Sequence, residues 1–297
     1  MIAVVGPTAS GKSDLAVELA VVLNGEIVNA DAMQLYRGMD IGTAKLPVPE
    51  RRGVPHHQLD VLEVTDEASV AAYQREARAA IEDIRSRGRR PILAGGSGLY
   101  LRAVLDELQI PPTDPRVRAA LETELEQIGT TALHTRLAER DPAAAVAILP
   151  SNARRVVRAL EVIALTGRPF TATLPTGAYH QPAIQIGLQV PRPVLDERIA
   201  TRVERMWDAG LVAETRDLAE LHGLRAGRTA SRALGYAQVL QLLDGELDDA
   251  AARLATVTAT RRFARRQLSW FGRDPRITWL DHDAADLIAR AVQRCAP

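Results

Sequence analysis

Short apolar runs alternate with helix-like stretches through most of the chain. In the helical stretches apolar residues recur every three or four positions, as at Leu15, Leu19 and Leu23. This alternation is typical of an α/β protein with a parallel sheet. The sequence predicts strands at 2–5, 26–29, 91–94, 185–190 and 276–280. It predicts helices over 14–23, 70–84 and 194–209.

The pattern changes after Pro111 and Pro112. From Asp114 to about Thr166 the periodicity is helical throughout, with no convincing strand. We therefore predict a parallel α/β core, flanked by helices and interrupted by an all-helical insertion. The core would comprise residues 1–112 and 181–297, and the insertion residues 113–180.

Composition narrows the class of protein. The chain has 297 residues with 37 basic and 37 acidic side chains, so no global field favours nucleic acid and any such contact must be local. Its one cysteine, Cys295, excludes a disulfide framework and a cysteine-based zinc site. Residue 2 already begins the first strand, which leaves no signal peptide, and no apolar run approaches membrane-spanning length. We expect a cytoplasmic protein without membrane contact.

A phosphate-binding motif follows the first strand directly. Residues 6–13, GPTASGKS, match G-x-x-x-x-G-K-[ST] between a predicted strand and a predicted helix. Gly6 and Gly11 allow close backbone approach, and the loop amides converge on an anion. Lys12 adds a charge, and Ser13 offers a hydroxyl to phosphate or Mg²⁺. The motif predicts a di- or triphosphate ligand, and with the parallel sheet it predicts a core of the P-loop NTPase-like type.

Two further segments should lie near this loop, because parallel strands present their carboxyl ends at one sheet edge. Asp31 follows the second strand, and the glycine-rich residues 95–98 follow the third. Asp31 could coordinate Mg²⁺ or accept a proton from a nucleophile, or simply cap a helix. The strand before Gly95 lacks a terminal aspartate of the Walker B kind, which counts mildly against ATP hydrolysis.

Arginines cluster locally although the net charge is zero. The helix after Pro193 aligns Arg198, Arg202 and Arg205 on one face, which is either solvated or able to reach a diphosphate. Each cluster alone could be a solvated helix face, but together with the phosphate loop they favour RNA. For the adjacent His56 and His57 we expect structural hydrogen bonds rather than metal binding. The other basic clusters are 154–158, 225–232 and 261–266.

Taken together, the motifs resemble those of the bacterial tRNA dimethylallyltransferases, and the resemblance covers almost the whole chain. It implies that the loop binds the diphosphate of dimethylallyl diphosphate with the help of Mg²⁺. It also implies transfer of the dimethylallyl group to the exocyclic N6 amine of the adenosine 3′-adjacent to the anticodon, with the insertion gripping the anticodon stem-loop. We expect a monomer. The motifs are GPTASGKS at 6–13, DAMQLY at 31–36, MDIGTAK at 39–45, PHH at 55–57, GGSGLY at 95–100, RALE at 158–161, GY at 235–236 and RRQLSW at 265–270.

The resemblance and the chemistry of the residues together assign roles to individual positions. The catalytic candidates are Asp31 as proton acceptor, with Ser13 and Lys12, and Ser13 is the candidate Mg²⁺ ligand. Diphosphate binding is expected of Gly6, Thr8, Ala9, Ser10, Gly11, Lys12, Ser13 and Arg202. Contact with tRNA is expected of Asp31, Ala32, Met33, Gln34, Ser97, Arg118, Arg154, Arg155, Arg158, Arg232, Gly235 and Tyr236. Ala32 stands where the family usually has serine, and Ser13 and Ser97 where threonine is common.

Three other functions fit parts of the sequence. A small-molecule kinase would share the phosphate loop and consume ATP, but it gives the insertion and the arginine clusters no role. An enzyme that prenylates free adenine nucleotides would lack the helical insertion. An RNA-binding switch that uses nucleotide only to change shape would leave Asp31 unexplained.

Overall fold

The computed structural model describes residues 1–170 and 177–295. The chain divides into two compact units, the first formed by Met1–Leu105 and Gln181–Pro297, the second by Asp106–His180. The predicted boundaries lay at 112/113 and 180/181. Residues 171–176 of the predicted insertion lie outside the described residues. In the part of the chain that the structure describes, no helix is long and apolar enough to cross a membrane.

The first unit contains a six-stranded parallel sheet with strand order β3-β2-β4-β1-β5-β6. All four residues of β1 are buried, which explains why this central strand reads as a continuous apolar run. Val5, the last residue of β1, lies opposite Gly95 of β4 and Gly187 of β5. The strands are β1 (Ile2–Val5), β2 (Gly25–Asn29), β3 (His56–His57), β4 (Arg90–Gly95), β5 (Ile184–Gln189) and β6 (Ile277–Asp281).

Helices pack against this sheet and against one another. One apolar cluster joins the sheet to α1 and α11, and a larger one gathers the helices from α7 to α10 around Tyr36, Trp207 and Tyr236. The helices of the first unit are α1 (Lys12–Val22), α2 (Val70–Ser86), α3 (Gly98–Leu105), α7 (Arg192–Asp208), α8 (Leu211–Leu221), α9 (Tyr236–Leu243), α10 (Asp249–Phe271) and α11 (Leu287–Cys295).

The second unit is helical in its described residues, with a single isolated bridge between Asp106 and Tyr179. Its helices are α4 (Pro115–Arg140), α5 (Pro142–Ala147) and α6 (Ala153–Thr166). Gly129 interrupts α4 with a φ of 79°, so the helix bends there. The core of this unit is formed by Leu121, Leu133, Leu137, Val156 and Leu160.

Five strands were predicted from the sequence, and the structure has each of them within one or two residues. The sixth, β3, was missed because it has only two residues and His56 and His57 give no apolar signal. These histidines form the structural hydrogen bonds that we expected. The His56 ring bonds the Val54 carbonyl at 2.8 Å, and His57 Nε2 lies 2.7 Å from the Glu26 carboxylate.

Candidate active site

The loop between β1 and α1 has the backbone geometry of an anion cradle. Its φ angles are 147° at Gly6, 64° at Ala9 and 92° at Gly11, all in the region that favours glycine. Gly11 precedes the first turn of α1 and has no side chain to cap it, so the first amides of the helix remain available to a ligand. The Ser10 hydroxyl is buried and has no hydrogen-bond partner in the described part of the chain. A bound anion would meet these donors.

Two cations converge on this loop. Lys12 Nζ donates to the Pro7 carbonyl at 3.3 Å, and Arg202 Nη1 donates to Thr8 Oγ1 at 3.4 Å. Burial lowers the pKa of Lys12 to about 8, although nearby Asp31 opposes this shift. Burial also lowers the pKa of Arg202. An anionic ligand would relieve the cost of holding both charges there.

Asp31 lies at the same edge of the sheet and is held firmly. Asn29 Oδ1 accepts the Asp31 amide at 2.9 Å, and Asn29 Nδ2 donates to the Asp31 carbonyl at 3.0 Å. One carboxylate oxygen of Asp31 accepts the Met33 amide at 3.0 Å; the other has no partner among the described residues. Residues 32–35, which follow Asp31, form turns rather than a helix, so Asp31 is not a helix cap. A carboxylate oxygen therefore remains available to a substrate.

The segments beside Asp31 are connected through Ser97 and Gln34. Ser97 Oγ accepts the Ala32 amide at 3.1 Å, and Gln34 Nε2 donates to the Thr43 carbonyl at 3.1 Å. A small cavity next to the phosphate loop is lined by residues that include Ser13, Gln34 and His56. The Ser97 hydroxyl, predicted to contact RNA, is thus already used to fix the backbone at Ala32.

Sequence reasoning gave no role to Gln267, which reaches the loop from α10. Its Oε1 accepts the Thr8 amide at 2.9 Å and its Nε2 donates to the Gly96 carbonyl at 2.8 Å. It belongs to the RRQLSW motif, in which only the arginines were interpreted, as part of a basic cluster. The signal available in the sequence was an uncharged amide directly after four arginines.

The predicted RNA-contacting residues around 232–236 differ in exposure. Tyr236 is fully buried, and its hydroxyl donates to Glu214 Oε1 at 2.5 Å and accepts the Gly42 amide at 3.2 Å. Burial and the Glu214 charge raise the pKa of this phenol far above its ordinary value. Gly235 is buried as well, whereas Arg232 is exposed. We assign the Tyr236 side chain to the core, and only Arg232 presents its side chain at the surface.

The predicted RNA-contacting arginines of the second unit fall into two pairs. Arg118 and Arg158 each donate to Glu161 Oε2 at 2.8 Å. Burial acts to raise the pKa of Glu161, but these two hydrogen bonds outweigh it and the pKa is lowered. Arg154 and Arg155 are exposed in the first turn of α6, and their guanidinium groups have no partner in the described residues. The first pair is structural, and the second is available to a ligand.

The sheet, the glycine-bounded loop and the converging cations define a P-loop α/β protein with a candidate site for a phosphate-containing ligand. The family model for IPP transferase matches residues 34–274, and the chain belongs to this family. The family and the fold class predicted from the sequence are thereby confirmed.

Relatives that match over nearly their whole length agree with this assignment. A tRNA dimethylallyltransferase of Thermobifida fusca is 65% identical, with 98% of this chain and 92% of the relative covered. One from Kineococcus radiotolerans is 62% identical, with coverage of 99% and 95%.

Two solved structures are also similar. The tRNA isopentenylpyrophosphate transferase of Bacillus halodurans shares 40% identity at a TM-score of 0.71, covering 98% of this chain and 94% of its own. A eukaryotic dimethylallyltransferase acting on tRNA shares 28% identity at a TM-score of 0.84, with coverage of 99% and 77%.

Proposed function

We propose that this chain transfers the dimethylallyl group of dimethylallyl diphosphate to the N6 amine of an adenosine in tRNA, the adenosine 3′-adjacent to the anticodon. The observation that carries the proposal is the convergence of Lys12 and Arg202 on the loop beside a partly unpartnered Asp31. The full-length similarity to tRNA dimethylallyltransferases supports prenyl transfer over the kinase alternative.

The diphosphate must leave the allylic carbon with the bonding electron pair. An allylic C–O bond breaks readily when the charge that develops on the leaving oxygens is neutralised. The loop amides, the Lys12 ammonium and the Arg202 guanidinium supply fixed positive charge at that position. Their arrangement exists before substrate binds, so little reorganisation is needed during the reaction.

The adenine amine needs a proton acceptor as its N6–C1 bond to the prenyl group forms. An exocyclic amine of adenine is a weak nucleophile, and its proton must leave as the bond is made. The Asp31 carboxylate has an oxygen without a partner in the described residues and lies close enough to influence the Lys12 pKa. We assign it the proton. The adenine must leave its base stack to reach this edge of the sheet.

The residues present also fit Mg²⁺. Among the described residues, no group of three His, Cys, Asp or Glu side chains could form a protein cage for a metal ion. Mg²⁺ does not need one, because it is commonly held by one or two protein oxygens together with substrate phosphates and water. The Ser13 hydroxyl in the first turn of α1 would be the protein ligand. When bound, Mg²⁺ would neutralise diphosphate charge.

The second unit offers a surface for the RNA backbone. Arg154 and Arg155 lie in a helical first turn that has no acidic residue, although positive charge there opposes the helix dipole. Their guanidinium groups have no intramolecular partner in the described residues to offset this cost. Phosphates of an anticodon stem-loop would bind both the arginines and the helix N-terminus.

A transfer assay tests the proposal. Purified protein with Mg²⁺ and dimethylallyl diphosphate labelled in its prenyl group should label a synthetic anticodon stem-loop without ATP. A stem-loop with guanosine at the target position serves as the matched control and should stay unlabelled. Label transfer from ATP to a small acceptor instead would support the kinase.

The role of Asp31 is tested separately. Asp31→Asn keeps the size of the side chain and its bond to the Met33 amide, but the amide cannot accept the proton of N6. We expect kcat to fall by roughly 10²–10⁴-fold, while the Kd for the stem-loop changes little. Equal losses in turnover and RNA affinity would show that Asp31 binds RNA rather than accepting a proton.

A further inference from the structure

We propose that Gln267 is a positioning residue that holds the phosphate loop in its diphosphate-binding geometry. The inference rests on the proposed function, since it concerns the same loop. Gln267 lies on α10, and its side chain is buried between two glycine-bounded turns from distant parts of the chain. Through it the Thr8 amide and the Gly96 carbonyl are joined into one unit.

The chemistry of the two partners fixes the orientation of the Gln267 amide. The Thr8 N–H can only donate and the Gly96 carbonyl can only accept, so Oε1 must point to Thr8 and Nε2 to Gly96. A side chain at this position must therefore accept and donate at once. Glutamine does so without bringing a charge next to the diphosphate site.

The space around Gly96 shows how close this contact is. A Cβ atom at Gly96 would lie 2.4 Å from Gln267 Nε2 and 3.3 Å from the Gly6 carbonyl oxygen. Distances below about 3 Å force something to shift, so the absence of a side chain here permits the contact. The turn after β4, the first residue of the phosphate loop and α10 thus meet at one point.

Thr8 links this contact to the ligand site. Its backbone is held by Gln267, and its side-chain hydroxyl accepts from Arg202. When the backbone of Thr8 shifts, the hydroxyl and the guanidinium lose their shared geometry. The expected consequence is weaker diphosphate binding with little change in tRNA binding.

The test replaces the amide with an apolar side chain of similar length. Gln267→Met removes both hydrogen bonds and leaves the Thr8 amide without its partner. We expect the Kd for inorganic diphosphate with Mg²⁺, and the KM for dimethylallyl diphosphate, to rise about tenfold. The KM for the stem-loop should stay within about twofold. Gln293→Met, on the exposed face of α11, is the matched control and should behave as wild type.

Several outcomes separate the possibilities. An unchanged diphosphate Kd in a folded Gln267→Met protein would overturn the positioning role, and so would parallel rises in both KM values. Thermal unfolding checks the fold. If Gln267→Met does not fold, Gln267→Asn carries the test, because it keeps both polar groups but is one methylene too short to reach both partners. Wild-type protein that binds diphosphate yet transfers no prenyl group would refute the proposed function alone.

Discussion

The buried carboxylate of Glu26 gives a prediction whose size follows from the structure. Glu26 lies in β2 with a side chain that is 2% exposed, and Arg87 Nη2 and His57 Nε2 bond it at 2.9 and 2.7 Å. The hydrogen bond from Arg87 is the main reason why the pKa of Glu26 falls from 4.5 to about 2; burial opposes the shift and His57 adds to it. The carboxylate thereby holds β3 against β2.

The shifted pKa sets both the magnitude and the pH window of the effect. A carboxyl group with a lower pKa in the folded state stabilises the protein above its ordinary pKa, and that contribution is lost as the pH falls from 4.5 to about 2. At 1.36 kcal/mol per pH unit, the contribution of Glu26 is roughly 3 kcal/mol. The Arg87 side chain is 41% exposed, so water can replace part of the lost interaction.

The substitution Glu26→Gln should lower the free energy of unfolding at pH 7 by roughly 2–3 kcal/mol. The assay is urea unfolding of both proteins at a series of pH values from 7 to 2. The difference between them should shrink as the pH falls below 4.5, because Glu26 is then protonated in the unfolded wild-type chain and, as the pH approaches 2, in the folded protein as well. Glu82→Gln is the matched control. Its side chain is 68% exposed and pairs with Arg85 at the surface, so the change should be below about 0.5 kcal/mol.

Two results would contradict this reasoning. One is a difference between wild type and Glu26→Gln that stays the same at pH 3 and pH 7. The other is a loss at pH 7 no larger than that of the surface control. Either would mean that the charge of Glu26 contributes little and that packing alone holds β3.

Three further predictions concern the ligands. Arg154→Ala should weaken stem-loop binding and reduce the slope of log K against log salt concentration by about 1, as measured by fluorescence titration. Arg158→Ala is the comparison variant. It should mainly lower the stability of the protein, because it leaves the buried Glu161 with one partner fewer. Diphosphate affinity should fall as the pH rises above about 8, where unliganded Lys12 loses its proton. Calorimetry at pH 7 to 9.5 measures this fall in wild type and in Lys12→Ala, where it should be absent. The same pH dependence in both proteins would contradict the reasoning. Removing Mg²⁺ with EDTA should weaken diphosphate binding, and an unchanged Kd would exclude the metal from that step.

Local signals predicted the fold well. The β1 run and the Gly6–Ser13 motif could be recognised in the sequence. A buried central strand requires consecutive apolar residues, and a phosphate loop requires glycines at fixed positions. The strand β3 gave no such signal, because two residues carry no period and His57 is held by a charge pair with Glu26. That pairing joins residues 31 positions apart, which no local pattern reveals.

The site was predictable only in part, because several of its contacts also join residues that are far apart in the sequence. Spacing places Lys12 and Asp31 at one sheet edge, and the structure does so. Sequence spacing cannot distinguish a side chain that faces solvent from one that completes the core. Tyr236 was therefore expected at the RNA surface, but it is buried against Glu214. Gln267 went unassigned because its partners, Thr8 and Gly96, lie 259 and 171 positions away.

The arginines show how a chain of zero net charge can still bind a polyanion. Acidic residues are not spread evenly against the basic ones. In the second unit a single buried carboxylate, Glu161, engages Arg118 and Arg158, while Arg154 and Arg155 a few residues earlier lack any acidic partner in the described residues. Arg118 thereby ties α4 to Glu161 on α6, whereas Arg158 pairs with Glu161 within α6 itself. Arg154 and Arg155 leave an unbalanced positive field at the N-terminus of α6, where the helix dipole has the same sign. The equal numbers of acidic and basic residues therefore conceal a local excess of positive charge, and phosphate binding depends on that local charge.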